Sequence, residues 1–510
     1  MGDAVEKPSK RVGLGWLLLL LVLSESLYVA LARLKAVNGA RPVLVFLALM
    51  GGLFALYALA YLAASHSGRH HGRTLAMIGA GAILFRLTLL PAGLPDNSTA
   101  RSLLAALRAD VRGERVAYDR YQLFDDDVWR YLWDGQMFAA GTNPYLYPPA
   151  DAALDSRGDT GPPAPAHALA LWDEIRENIS YPEIPTVYPP LAQAVFRLSH
   201  WLAPGSVMVM KSLFVGFDLI AVIFLALSLK VLDQPTEGVL LYAWNPLVIK
   251  VFAGSGHMDA ILSAMIAATA YFLLRGAYRA SAVSFGLAVL SKMSALILLP
   301  FLFKRVGRRN CALSGAVILA GYIPFLGAGS GLFKGTLTFA RDWQFNAGFF
   351  ALIRWLASRL GPSSQEAEMT ARAACCLAIL AVVSWLAHRD DGGAKTFAPY
   401  GAASLGALII LGPTAMPWYV AWILPLAVIS QGVGRRVWIY YSALICLAFL
   451  VMMDETEHAL TLGLEYGALA GLVWFEFKHA KRRRHELELA STGRCESPAF
   501  AGGERSPSGG

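Results

Sequence analysis

Uninterrupted apolar runs of about 20 residues recur along this chain, each long enough to carry an α-helix across ~30 Å of hydrocarbon. The first, "VGLGWLLLLLVLSESLYVALARL" (12–34), is too long for a signal-peptide core and lacks a small-residue cleavage site, so it reads as a retained helix. In lipid, backbone N–H and C=O groups must be satisfied within the segment, so such runs have to be helical. The predicted fold is an all-α polytopic membrane protein with about 12–14 transmembrane helices, several of them short or broken by Pro or Gly. Only 16% of the 510 residues are charged, against about a quarter in soluble proteins.

The formal net charge of +8 does not point to nucleic acid. The basic residues fall in short clusters between apolar runs, as at Lys304, Arg305, Arg308 and Arg309, and at Lys481 to Arg484. Such clusters are topology signals that stay cytoplasmic. None of the five cysteines lies in the long polar segment, and no CxxC or His/Cys spacing suggests a metal.

Four regions follow. Residues 1–94 carry N-terminal membrane helices, 95–187 form the one long hydrophilic segment, 188–478 form a helical core, and 479–510 read as a disordered basic tail. If both ends are cytoplasmic, three helices place 95–187 outside. For 304–309 the positive-inside tendency asks for the cytoplasmic side, while simple counting puts it outside. Half-spanning helices would alter that parity.

The long segment contains "FDDDVWRYLWDG" (124–135). At 3.6 residues per turn Asp127, Tyr131 and Asp134 share one helix face, and Asp126, Arg130 and Trp133 another. The expectation is a helix lying at headgroup depth with its carboxylates facing water. Capping and solubility are the plain explanation for such acids. Repulsion among three adjacent carboxylates is a cost that capping does not require. Arg130 lies one turn from both Asp126 and Asp127, placed to orient one of them; Asp125 reads as a cap. Downstream, "YPPL" (188–191) reads as a helix entry with Tyr188 at the interface.

Further polar groups sit in apolar surroundings. "GSGHMD" puts His257 and Asp259 at a helix start, and Lys292 lies within a helix, where a charge needs a partner or a cavity. "ARDWQFNAG" holds Arg341, Gln344 and Asn346, and "PWYVAW" holds Trp418, Tyr419 and Trp422. A capping Asp beside a bystander His, a snorkelling Lys and an aromatic belt are the plain readings of these.

The strings "DDVWRYLWDG", "GTNPY", "IPTVYPPLAQAVF", "WNPLVIKVFAGSGHMDA", "SKMSALILLP", "WQFNAG" and "PWYVAWILPL", in that order, resemble those of polyprenyl-phosphate-sugar-dependent glycosyltransferases of the GT-C superfamily, in their integral-membrane mannosyltransferase-like group. The resemblance covers roughly 120–430. It departs at Met416, where relatives commonly carry His before Pro-Trp-Tyr. It implies inverting transfer of a hexose, mannose first, from a polyprenyl-phosphate donor to a lipid-linked or envelope glycan acceptor at the outer face of a bacterial plasma membrane. Asp126 or Asp127 would be the general base. Arg130, Lys292, Arg341 and His257 would stabilise the leaving phosphate, and Asp259 would be a second acid of the cavity. Tyr131, Trp133, Asp134, Tyr188, Gln344, Asn346, Trp418 and Tyr419 complete the expected substrate-binding set. No cofactor is required by the resemblance; a divalent cation is the open alternative, with no ligand set evident in the sequence. The competing class is a transporter or flippase of a lipid-linked saccharide, using Asp218 and Lys292 within the membrane.

Overall fold

The computed structural model describes residues 12–34, 40–66, 71–94, 100–112, 116, 118–151, 166–361, 363–430, 433–454 and 459–491. Among them the fold is helical, with one isolated bridge, Phe345 to Thr414, in place of any sheet. Eight helices are long and apolar enough to cross a membrane, and three shorter apolar helices accompany them.

Three helices open the chain: α1 (Val12–Ala32), α2 (Ala40–Ser65) and α3 (His71–Leu89). Glu25 and Tyr28 near the end of α1 meet Thr88 and Phe85 near the end of α3, so both helices finish on the same face. The long polar segment leaves α3 there, and that side is called the loop face below. It carries α4 (Ala100–Val111), α5 (Asp127–Ala139), α6 (Ala166–Glu177) and α7 (Pro190–Leu202). Pro190 opens α7, as its fixed φ and missing N–H favour.

α8 (Val207–Val231) descends from Ser206, which bonds Asp110 on the loop face. The chain returns through α9 (Leu240–Ala243), α10 (Pro246–Ile249) and a π-helical turn at Lys250–Gly254. α11 (Asp259–Leu274) descends and α12 (Tyr278–Ser291) climbs beside it, with Ser281 Oγ donating to Thr269 O.

The parity of 304–309 is decided by the next stretch. Lys292 is extended (φ −156°, ψ 128°) and ends α12. The chain then descends into α13 (Leu299–Tyr322), Phe301 stacking on Tyr400 and the Arg305 guanidinium lying over the Phe397 ring. Gly307, at φ 73° where a side chain would be strained, reverses it. The remainder of α13 climbs along α12, Ser314 Oγ bonding Ala282 O. The basic cluster therefore lies opposite the loop face, where Arg305 makes a two-pronged pair with Asp390 at 2.6 and 2.7 Å.

α14 (Lys334–Asp342) and α15 (Gly348–Ser358) lie toward the loop face. α16 (Ser364–Arg389), α17 (Phe397–Leu411), α18 (Pro417–Ile429), α19 (Val433–Leu444) with α20 (Ala448–Asp454), and α21 (Ala459–Ser491) complete the bundle. α21 continues through the basic stretch expected to be disordered; residues 492–510 lie outside the described residues.

α5 corrects a second expectation. It does not present a free polar face: Val128 to Gly135 are all buried, packed on α7 and α8, while the Asp127 side chain stays 35% exposed. Gly135 allows that approach, since a Cβ there would stand 2.4 Å from the Phe196 carbonyl oxygen. Gly135→Ala is expected to cost about 1–3 kcal/mol by overpacking, read as a lowered unfolding temperature of the detergent-purified chain; an unchanged temperature would refute the tight contact.

Candidate active site

The acid run reaches the core through an unusual turn. Leu123 and Phe124 both have positive φ (50° and 70°), rare for such bulky residues. Packing holds them there: Leu123 fills the space beside Gly254, and Phe124 meets Phe46 edge-on at 5.2 Å. The Gln122 N–H closes the turn on Asp125 O. Strain retained at a turn of this kind marks a functional segment more often than a purely structural one.

Lys211 of α8 is fully buried beneath it. Its Nζ donates to Ala92 O (2.9 Å), Gln122 Oε1 (3.0 Å) and Leu90 O (3.5 Å). Its aliphatic stem lies against Gly256, which has φ 76° and no room for a Cβ. One lysine thus fixes the turn before the acids and the residue before His257.

The three acids have separate partners. Asp125 bonds His257 Nε2 through one oxygen and accepts the Asp127 N–H (3.3 Å) through the other. It is a cap only in that second role, and the sequence reading missed the first. Asp126 accepts from Ser180 Oγ (2.6 Å) and lies 3.7 Å from Arg120. Asp127 accepts from Tyr131 OH (3.2 Å) and stands 3.5 Å from His257 Nδ1, in ion-pair range but without hydrogen-bond geometry. Its side chain is the most open of the three, at 35% exposed.

Burial pushes the Asp126 carboxyl up to about 7; the Ser180 bond opposes this, and Asp125 and Asp127 add to it. For His257, burial pulls the imidazole down, but the charge and hydrogen bond of Asp125, with the nearby Asp127 carboxylate, outweigh it and raise it to about 9. The ring lies flat on Trp418, centroids 4.0 Å apart.

Two residues past His257, Asp259 accepts from Lys292 Nζ (2.7 Å) and Trp422 Nε1 (2.5 Å). The ammonium also faces the Tyr419 and Trp422 rings at 4.6 and 4.5 Å, and 22% of the Lys292 side chain stays exposed. The break at Lys292 is what lets the ammonium reach Asp259.

Other expected site residues are engaged elsewhere. Arg130 does not orient Asp126 or Asp127: its Nε bonds Asp134 (2.9 Å) and its Nη1 bonds Ile184 O (2.9 Å). Asp134 also receives Thr186 Oγ1 and Gln193 Nε2, so it staples α5 to α7 with no face left for substrate. Trp133 is buried, and Tyr188 packs edge-on against Tyr131 at 5.0 Å. Arg341 is 83% exposed and bonds its neighbour Asp342, and Gln344 accepts from Arg354. Asn346 is buried against Glu465 (2.9 Å).

The ligating atoms of Asp125, Asp127 and His257 lie within 4.8 Å of one another, a donor set that suits a divalent ion. With Nε2 committed to Asp125, Nδ1 and Asp127 remain to hold one, an incomplete set of protein ligands among the described residues.

The raised His257 has a pH consequence. Its contribution to stability is complete below its ordinary value of 6.5 and is lost as pH rises toward about 9. The unfolding temperature of the wild-type chain should therefore fall across that window, and Asp125→Asn should flatten the fall. A wild-type curve flat between those limits would refute the charged pair.

Residues 121–307 match the MptA_B family, described as an alpha-(1->6)-mannopyranosyltransferase N-terminal domain. The match contains the acids, His257, Asp259 and Lys292, and ends before Asn346, Trp418 and Tyr419. No curated protein matches the chain at a significant level. Carried on a multi-helix membrane fold, this domain makes the chain a membrane glycosyltransferase of the mannosyltransferase kind.

Proposed function

We propose that the chain moves a mannosyl residue from a polyprenyl-phosphate donor to a glycan or lipid acceptor, with inversion, on the non-cytoplasmic face of the membrane. The observation that carries this is the convergence of Asp125, Asp127 and His257, from distant segments, beside the Asp259–Lys292 pair. The opposite face gathers Lys230, Arg275, Lys304, Arg305, Lys395 and Arg435, which favours it as cytoplasmic.

In this reading Asp127 is the base. It is the most open acid, and Tyr131 and His257 fix its orientation. A sugar hydroxyl is a weak nucleophile, and a carboxylate within hydrogen-bond reach takes its proton as attack proceeds. The acceptor oxygen bonds to C1, the C1–O bond to phosphate breaks, and polyprenyl phosphate leaves with the bonding pair. The exposed side of the Lys292 ammonium, and His257 in its protonated form, would meet the charge that develops there. Asp126, tied to Ser180, holds the loop in place. Only with Nδ1 deprotonated, and so in place of the charged imidazole, could His257 and Asp127 hold a divalent ion, which would supply Lewis-acid stabilisation of the same phosphate.

The test is transfer of labelled mannose from polyprenyl-phosphate-mannose by the purified chain. Asp127→Asn should lower kcat about 10²–10⁴-fold, and Asp126→Asn should lower it far less. If wild type instead shows an acid limb near pH 7 that vanishes in Asp126→Asn, the base is Asp126. Activity should survive EDTA; loss that Mg²⁺ or Mn²⁺ restores would assign the ion to the cluster.

A further inference from the structure

Tyr181 follows Ser180, the residue that bonds Asp126, and is 56% exposed on the loop face. Its φ of 57° is unusual for a bulky aromatic. Its ring meets Trp343 at 4.4 Å with 64° between planes, forming a corner, and Trp343 is backed by Phe339 at 5.2 Å. Gln344, Arg341 and Asp342, all exposed, give the corner a polar rim.

Several contacts from distant parts of the chain hold Trp343 in place. Arg372 Nη1 donates to Trp343 O (3.3 Å). Phe345 exchanges backbone bonds with Pro413 and Ala415, and Asn346, at φ 48°, donates to the buried Glu465 of α21. Gly335 lets α14 touch the backbone of Pro185, where a Cβ would be 2.4 Å from its carbonyl oxygen. An aromatic belt anchored in headgroups needs neither this backing nor a strained backbone. A rigid aromatic corner with a polar rim, one residue from the serine that bonds Asp126, suits a ring that is apolar on its C–H face and hydroxylated at its edge.

We propose that Tyr181 and Trp343 form the acceptor subsite, gripping a pyranose ring of an extended glycan while its terminal hydroxyl reaches Asp127. This rests on the transferase reading and narrows it to a saccharide acceptor longer than one ring.

The test has a binding arm that needs no turnover. Saturation-transfer NMR of the full purified chain with α-1,6-linked mannotetraose should show contact in wild type. Tyr181→Ala and Trp343→Ala should each weaken binding about tenfold, Trp343→Phe should restore most of it, and the unfolding temperature of Tyr181→Ala should be unchanged. In the kinetic arm, KM for the tetraose should rise while KM for polyprenyl-phosphate-mannose holds. Absent wild-type binding, or variants that bind equally well, would overturn the subsite. So would equal loss for donor and acceptor, the mark of a membrane anchor. Binding without any transfer would keep the subsite and defeat the transferase reading instead.

Discussion

Asp125 and His257 stand 132 positions apart, both almost fully buried, and their contact fastens the extramembrane segment to the helical core. A buried carboxylate is costly without a partner, and so is a buried imidazolium. Each makes the other tolerable, so the loop has one low-energy seating on the bundle. Lys211 reinforces that seating by fixing Gln122 on one side and packing on Gly256 on the other. Asp127, two residues along from this anchor, then has its direction set by Tyr131 and the nearby His257 ring. Trp418 covers the imidazole, and its helix is held to the loop face through the Phe345–Thr414 bridge. Removing the Asp125 carboxylate would thus release the loop and uncharge His257 together.

Run length alone made the fold class legible, because about 20 apolar residues permit little else in lipid. Traverses built from pieces were harder. The segment 236–254 mixes 3₁₀, α and π turns, and 293–322 reverses at Gly307. Their apolar runs show, but the breaks and the reversal within them do not, which is why counting alone left the side of the basic cluster open. The acid run stood out by charge, but the roles within it did not. Arg130 is four residues from both Asp126 and Asp134, so helical spacing offers two partners equally well. Thr186 and Gln193, more than 50 residues downstream, complete the shell of Asp134 and decide the choice. Ser180 meanwhile occupies Asp126. The resemblance put Asp127 and His257 in one site, but the share of Asp125 escaped notice because it is remote from His257 in sequence and no spacing rule joins them. Mutual repulsion along the run was the one available clue that a cation had to lie nearby.

The disposition of charges within the core separates the two functional classes. A transporter needs ionisable groups lining a path through the bilayer, in alternating contact with both sides. Here Arg86 and Asp218 are both fully buried and bond each other at 2.5 Å, while Arg86 Nη1 also donates to the Ala82 and Ala243 carbonyls. That pair locks α3 to α8 and offers nothing to a passing solute. Lys292 looks in one direction only, toward Asp259 and two aromatic faces near the loop face. On the opposite side Arg305 is paired with Asp390 and Arg436 with Glu476. The exposed part of the Lys292 ammonium thus lies at the loop-face end of the bundle, beside a buried acid–histidine pair. A substrate arriving laterally in the membrane could use that arrangement, but one that had to cross would meet closed ion pairs.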